Sequence, residues 1–248
     1  MFERFLDRLS NSKYKDNFIL KGGFLLSSIM GVNIRTTMDI DADITGMDFN
    51  EHQIRSLIME VAAIDLDDHV TFQVDKENVI REDSEYGGFS YRITGKFYKL
   101  TISFYIDIST GDIVTPGAIE YRYKTILEDE YINLCTYNYE TKIAEKFQTI
   151  LARSIANSRM KDFYDLYYFV SYKKNEIDVS ILSIAIHTTF THRGTLNDLK
   201  NTQKIIRMIE ENDSMKTRWD NYKSKYSYAK EVKFTDIMTA IKYIEGLK

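Results

Sequence analysis

Cysteine and proline are almost missing from this chain of 248 residues: each occurs once, as Cys135 and Pro116. A lone cysteine closes no internal disulfide, so nothing asks for an oxidising compartment and the fold must be held by burial. It also rules out thiolate clusters, and His187 and His192 lack partners at zinc-ligand spacing, which argues against a zinc site. Apolar runs of the roughly 18 residues that span a bilayer are missing too. Residues 1–9 are charged and amphipathic, with no signal-peptide core. These absences predict a cytoplasmic protein with no membrane partner.

A strong charge of one sign is also lacking. The net charge is −4, with residues 191–248 carrying 12 basic against 8 acidic side chains and the remainder being acidic. So small a basic excess reads either as attraction to a nucleic-acid backbone or as a solvated helical face. What is present is ordinary for a globular protein: 44% apolar and 28% charged residues, enough to bury a sizeable core in one large or two small domains. There is no internal repeat and no low-complexity linker.

One stretch organises the rest. In residues 20–43 a glycine pair, Gly22 and Gly23, opens an apolar helical run from Phe24 to Met30 that stops at Gly31, and three aspartates follow. Side chains alternate along a strand, so Asp39, Asp41 and Asp43 share one face while Ile40, Ala42 and Ile44 share the other. Aspartate is disfavoured in strands, and unpaired buried carboxylates are costly. The run is therefore either a solvated edge strand or a site for a hard divalent cation such as Mg²⁺. Glycines before a helix let the backbone approach a ligand, and the free N–H groups there favour phosphate.

Taken in order, residues 1–13 are predicted to form a short helix and residues 18–20 an extended entry to the glycine turn. Residues 50–63 form a helix with Ile54, Leu57, Ile58 and Val61 on one face. Residues 70–80 and 89–94 read as strands. A hairpin punctuated by Thr94, Gly95 and Lys96 then leads into a strand over 97–108. In that strand Thr101, Ser103, Tyr105 and Asp107 share a face, so Asp107 either starts the Gly111 turn or adds a carboxylate to a neighbouring cluster. Pro116 falls in a loop after the sheet.

From about residue 138 the pattern is helical. Residues 139–156 bury Ile143, Phe147, Ile150, Leu151 and Ile155 and place Lys142, Lys146, Thr149 and Arg153 on the other side. Asn157 or Ser158 caps the next helix, which carries Asp162 and Asp165 three residues apart. Residues 188–195 form a loop between further helices, and Trp219 with several tyrosines packs the last ones.

Several of these segments, in order over residues 20–169, together resemble the AbiEii/AbiGii-type toxin nucleotidyltransferases of the polymerase-β-like superfamily. They are Leu20 to Gly23, Arg35 to Asp43, Tyr105 to Asp112, Glu140 to Lys146 and Asn157 to Leu166. The resemblance implies an α+β fold: a small mixed sheet with flanking helices in residues 1–137, followed by a helical domain in 138–248 that completes an active-site cleft. It implies an enzyme that transfers a nucleoside monophosphate from an NTP to an acceptor, tRNA or another RNA or a protein, with Mg²⁺ or Mn²⁺. It further implies a toxin of a toxin–antitoxin or phage-defence pair, with a cognate antitoxin as partner.

Carried over residue by residue, Gly22 and Gly23 hold the triphosphate, and Asp39 and Asp41 bind metal. Asp107 is a third ligand or takes the nucleophile's proton. Lys146 neutralises phosphate charge, and Asp162 orients Lys146 or the base. This chain departs from the pattern at Phe24, where relatives often carry Ser or Thr; Ser27, a turn further on, is the candidate substitute. Two other readings fit parts of the pattern: a non-catalytic nucleotide- or antitoxin-binding protein of the same fold, and a metal-dependent glycosyltransferase. No doubly wound nucleotide-binding pattern precedes the aspartates, which counts against the latter.

Overall fold

The computed structural model describes residues 1–21, 39–80, 87–126, 128 and 130–248. The glycine pair, Ser27 and the expected helix from Phe24 to Met30 with its Gly31 cap lie outside the described residues. The chain forms two compact units, residues 1–112 with 118–137 and residues 113–117 with 138–248. Together they give the α+β class expected from the sequence.

The first unit is a seven-stranded mixed sheet: β1 (Phe18–Lys21), β2 (Asp39–Ile44), β3 (Val70–Ile80), β4 (Gly88–Phe97), β5 (Leu100–Ser109), β6 (Ile119–Lys124) and β7 (Tyr131–Thr136). Their spatial order is β3-β4-β5-β2-β1-β7-β6. The aspartate strand β2 is central, parallel to β5 and antiparallel to β1. Its apolar residues, Ile40, Ala42 and Ile44, join Ile106 and Ile108 of β5 in a core with Phe5, Leu6 and Leu9 of α1 (Phe2–Ser10). Helix α2 (Glu51–Ala62) adds Ile54, Leu57, Ile58 and Val61, all four fully buried as the periodicity predicts. Asn50 caps it by accepting from the Gln53 backbone N–H at 3.0 Å. The sheet is thus apolar on the face that meets α1 and α2, and its acidic residues stand on the other.

Two expectations about the sheet are corrected. Gly95 does not mark a turn: β4 runs on to Phe97, and the reversal falls at Tyr98 and Lys99. A Cβ at Gly95 would meet Met1 Sδ and Phe72 Cε1 at 2.9 Å, so this glycine serves close packing inside a strand. Nor does the sheet end before Pro116. The hairpin of β6 and β7 follows it, and β7 pairs with β1 in parallel, which makes β1 an interior strand.

The second unit is helical: α3 (Tyr139–Arg153), α4 (Met160–Tyr172), α5 (Val179–His192), α6 (Leu196–Lys200), α7 (Thr202–Glu211), α8 (Asp213–Lys225) and α9 (Phe234–Glu245). Asn138 caps α3 through the Thr141 N–H at 3.1 Å. Helix α3 is buried on most of its circumference, so Lys142 is only 2% exposed instead of solvated. It stops at Arg153, which leaves the expected core residue Ile155 outside it and exposed. Neither Asn157 nor Ser158 is the N-cap of α4. Arg159 holds that position without a side-chain bond, while the buried Asn157 accepts from the Arg159 N–H at 2.8 Å. Residues 188–192 continue α5, because Thr189 and Phe190 are buried on the stripe of Leu182, Ala185 and Ile186. Only residues 193–195 link it to α6. Trp219 is fully buried and donates Nε1–H to the Val232 carbonyl at 3.0 Å, a packing role as expected.

Candidate functional site

The acidic face of the sheet is assembled by register. Asp41 on β2 lies opposite Asp107 on the parallel strand β5 and opposite Lys21 on the antiparallel strand β1. Directly paired residues in a sheet share a face, so these three side chains stand side by side. Asp39 lies opposite Tyr105, and Asp43 opposite Ser109. Asp39 is exposed and Asp41 and Asp107 are half-buried, whereas Asp43 is buried. The Asp107 carboxylate accepts from Ser90 Oγ of β4 at 2.6 Å, which fixes its rotamer from the neighbouring strand. Asp39, Asp41 and Asp107 therefore form one acidic strip across two strands.

Asp43, the third aspartate of β2, belongs to a different group. The Lys21 ammonium donates to Ser109 Oγ at 2.7 Å, to Asp112 Oδ2 at 2.6 Å and to Asp43 Oδ1 at 3.4 Å. Ser109 Oγ also donates to Asp43 Oδ1 at 3.1 Å. Burial pushes the Asp43 carboxyl up to about 6; Lys21 pulls against the rise and Asp112 adds to it. Lys21 stands directly before the glycine pair, where sequence reading treated it only as part of a motif. A buried lysine at the end of a strand in register with aspartates is the signal that could have singled it out.

In the helical unit, Lys146 of α3 pairs with Asp162 at 2.5 Å and Asp165 at 2.8 Å, both on α4. Arg159 Nε adds a second cation to Asp162 at 3.0 Å. The two carboxylates are buried, at 3% and 0% side-chain exposure, and Lys146 is 16% exposed. Burial pulls the lysine pKa down, but Asp165 and Asp162 together outweigh it and hold it above the ordinary value. This lysine is firmly charged at neutral pH. The spacing of Asp162 and Asp165, three apart on one helix, is what lets both reach one ammonium.

The structure thus brings Asp39, Asp41 and Asp107 onto one face of the sheet unit, and joins Lys146 to Asp162 within the helical unit. Gly22, Gly23 and Ser27, expected at the triphosphate, lie outside the described residues. The acidic strip offers oxygen donors only, which suits a hard divalent cation and no soft one. Among the described residues no group of three or more His, Cys, Asp or Glu side chains is gathered to hold a metal by itself. Among the described residues no helix is long and apolar enough to cross a membrane.

Known proteins resemble this chain at the level of family and fold. A crystal structure of JHP933 from Helicobacter pylori aligns with a TM-score of 0.54 and 12% identity, covering 99% of this chain and 89% of that one. A crystal structure of a putative nucleotidyltransferase from H. pylori aligns with a TM-score of 0.56 and 13% identity, covering 99% of this chain and 92% of that one. At such identities the likeness speaks for the fold alone. No protein of curated function matches this chain. The family described as nucleotidyl transferase AbiEii toxin of type IV toxin–antitoxin systems matches residues 4–240. With nearly its whole length matched, this chain belongs to the AbiEii nucleotidyltransferase toxin family.

Proposed function

We propose that this family member transfers a nucleoside monophosphate from an NTP to an acceptor in a Mg²⁺- or Mn²⁺-dependent reaction, and acts as a toxin held in check by a cognate antitoxin. The observation that carries the proposal is the register of Asp41 with Asp107 on one face of adjacent parallel strands, with Asp39 two residues along the same face. Attack on the α-phosphate builds negative charge at the reacting centre and on the departing pyrophosphate. Asp39 and Asp41 would hold the divalent cation, which when bound would supply charge neutralisation for the phosphate oxygens.

The residues of the chain do the rest. Asp39 and Asp41 bind through their carboxylate oxygens. Asp107, oriented by Ser90 Oγ, either completes the oxygen set or accepts the proton of the attacking hydroxyl. Gly22 and Gly23 are assigned to the triphosphate by the family pattern, with Ser27 as the nearby hydroxyl. Lys146 is assigned to neutralising phosphate charge. Asp162 and Asp165 keep it protonated, which gives Asp162 the role of holding the lysine rather than the base. The acceptor is an RNA or protein hydroxyl, and tRNA is the first to test.

The test is to incubate the protein with Mg²⁺, total RNA, a cell extract and each α-³²P-labelled NTP in turn, and to ask which molecule becomes labelled. Asp41→Asn should lower labelling by on the order of 10³-fold, the scale of losing an electrostatic element from a transition state. Labelling within twofold of wild type in Asp41→Asn would sink the assignment. Growth inhibition that survives loss of both Asp39 and Asp41 would instead favour the non-catalytic binding protein.

A further inference from the structure

Register places Lys21 on the acidic face formed by β1, β2 and β5, and its ammonium bonds to three groups there. An ammonium has three donors. It donates to Asp43, Ser109 and Asp112, on β2, on β5 and just beyond β5. Lys21 is 6% exposed and Asp43 3%. So the carboxylates of the acidic face fall into two groups along the strands. At one end Asp43 and Asp112 close around an ammonium; at the other stand Asp39, Asp41 and Asp107. The groups that the ammonium holds, two carboxylates and a hydroxyl, are the oxygen donors that a hard cation would take in its place.

We infer that Lys21 is a built-in counter-ion that confines divalent-cation binding to the Asp39, Asp41 and Asp107 end by occupying the Asp43 and Asp112 end itself. Lys21 is therefore a positioning and selectivity residue. It holds the end of β1 across from Asp41 and withholds Asp43 from the cation. Placing the cation at Asp39 and Asp41 rests on the function proposed above; the exclusion at Asp43 rests on the Lys21 contacts alone.

The experiment measures Mn²⁺ stoichiometry and affinity of the full chain by electron paramagnetic resonance, with no nucleotide present. Lys21→Met, close to lysine in length but uncharged, should bind one Mn²⁺ more than wild type. Adding Asp43→Asn to Lys21→Met should remove that extra ion. Asp43→Asn alone should leave Mn²⁺ affinity within about twofold of wild type, because Asp43 is already taken by lysine. Unchanged stoichiometry in folded Lys21→Met overturns the inference, and so does a tenfold loss of Mn²⁺ affinity in Asp43→Asn. If Lys21→Met is unfolded without metal, its thermal midpoint should rise with added Mn²⁺ by more than that of wild type, as expected of a ligand that binds only the native state. Equal or smaller shifts overturn the inference in that case. Asp41→Asn separates the two readings: Mn²⁺ binding untouched by that change defeats the proposed active site, while the ion gained in Lys21→Met still stands for Lys21.

Discussion

Each unit of this protein buries one lysine between two aspartates, and the two clusters are built differently. In the helical unit Lys146 lies 2.5 Å from Asp162 and 2.8 Å from Asp165, both carried by one helix. In the sheet unit Lys21 lies 2.6 Å from Asp112 but 3.4 Å from Asp43, and the partners come from separate segments. The groups carry the same charges, yet electrostatic cost is distributed differently. Close contact on both sides keeps Lys146 protonated despite burial. The longer contact leaves Asp43 under-compensated, so desolvation wins and its carboxyl rises to about 6. Attraction falls with distance while the cost of desolvation does not, and repulsion from Asp112 adds to the rise at Asp43.

The comparison can be broken at the helical cluster first. Lys146→Met strips two almost fully buried carboxylates of their shared ammonium and should destabilise the protein by about 3–5 kcal/mol. The shift of the urea midpoint in a denaturation series measures it. A loss below 1 kcal/mol would mean that Arg159 alone compensates both acids.

At the sheet cluster the expected effect is a pH dependence of opposite sense to that of a paired surface aspartate. The folded pKa of Asp43 lies above its unfolded value near 3.8. Its contribution to stability is therefore fully present below pH 3.8 and is lost as pH rises through about 6. The span is up to about 3 kcal/mol, from 1.36 kcal/mol per pKa unit. Asp43→Asn should flatten the stability profile between pH 4 and pH 7, measured as unfolding free energy at each pH. The Lys146 contribution, from a raised lysine pKa, is present throughout that window and is lost only as pH climbs past the ordinary lysine value of 10.5 and through the folded pKa.

The smallest effect belongs to an exposed pair used as a control. Lys216 and Asp213 lie 2.9 Å apart on the first turn of α8, with side chains 47% and 93% exposed. Lys216→Ala should change stability by no more than about 0.5 kcal/mol, within the scatter of replicate unfolding curves. A larger loss would show that burial is not what separates these clusters from ordinary ion pairs.

Much of this arrangement could be read from residue types. Alternation along residues 39–44 and 101–108 put the carboxylates on one face of each strand, and the structure pairs those faces. Spacing marked Ile54, Leu57, Ile58 and Val61 as one buried stripe. The hairpin of β6 and β7 was not read, although Tyr121 and Tyr123 alternate with Arg122, and Ile132 and Leu134 with Asn133. A proline shortly before these strands and the position of β7 beside β1 hide them from any local pattern. Gly95 misled for a related reason: a glycine needed for a Met1 and Phe72 contact looks like a glycine needed for a turn.

Periodicity by itself determined the change to helices near residue 138, the sidedness of β2 and β5, and the residues available for oxygen ligation, while the α+β plan followed from the family resemblance. Those properties depend on neighbours along the chain, which a strand or helix repeat makes explicit. Only the tertiary structure decided that Asp43 answers to Lys21, 22 residues earlier, and to Asp112, while Asp41 faces Asp107. Partner choice among like carboxylates is fixed by strand order and register, and these are set by how the whole apolar face packs.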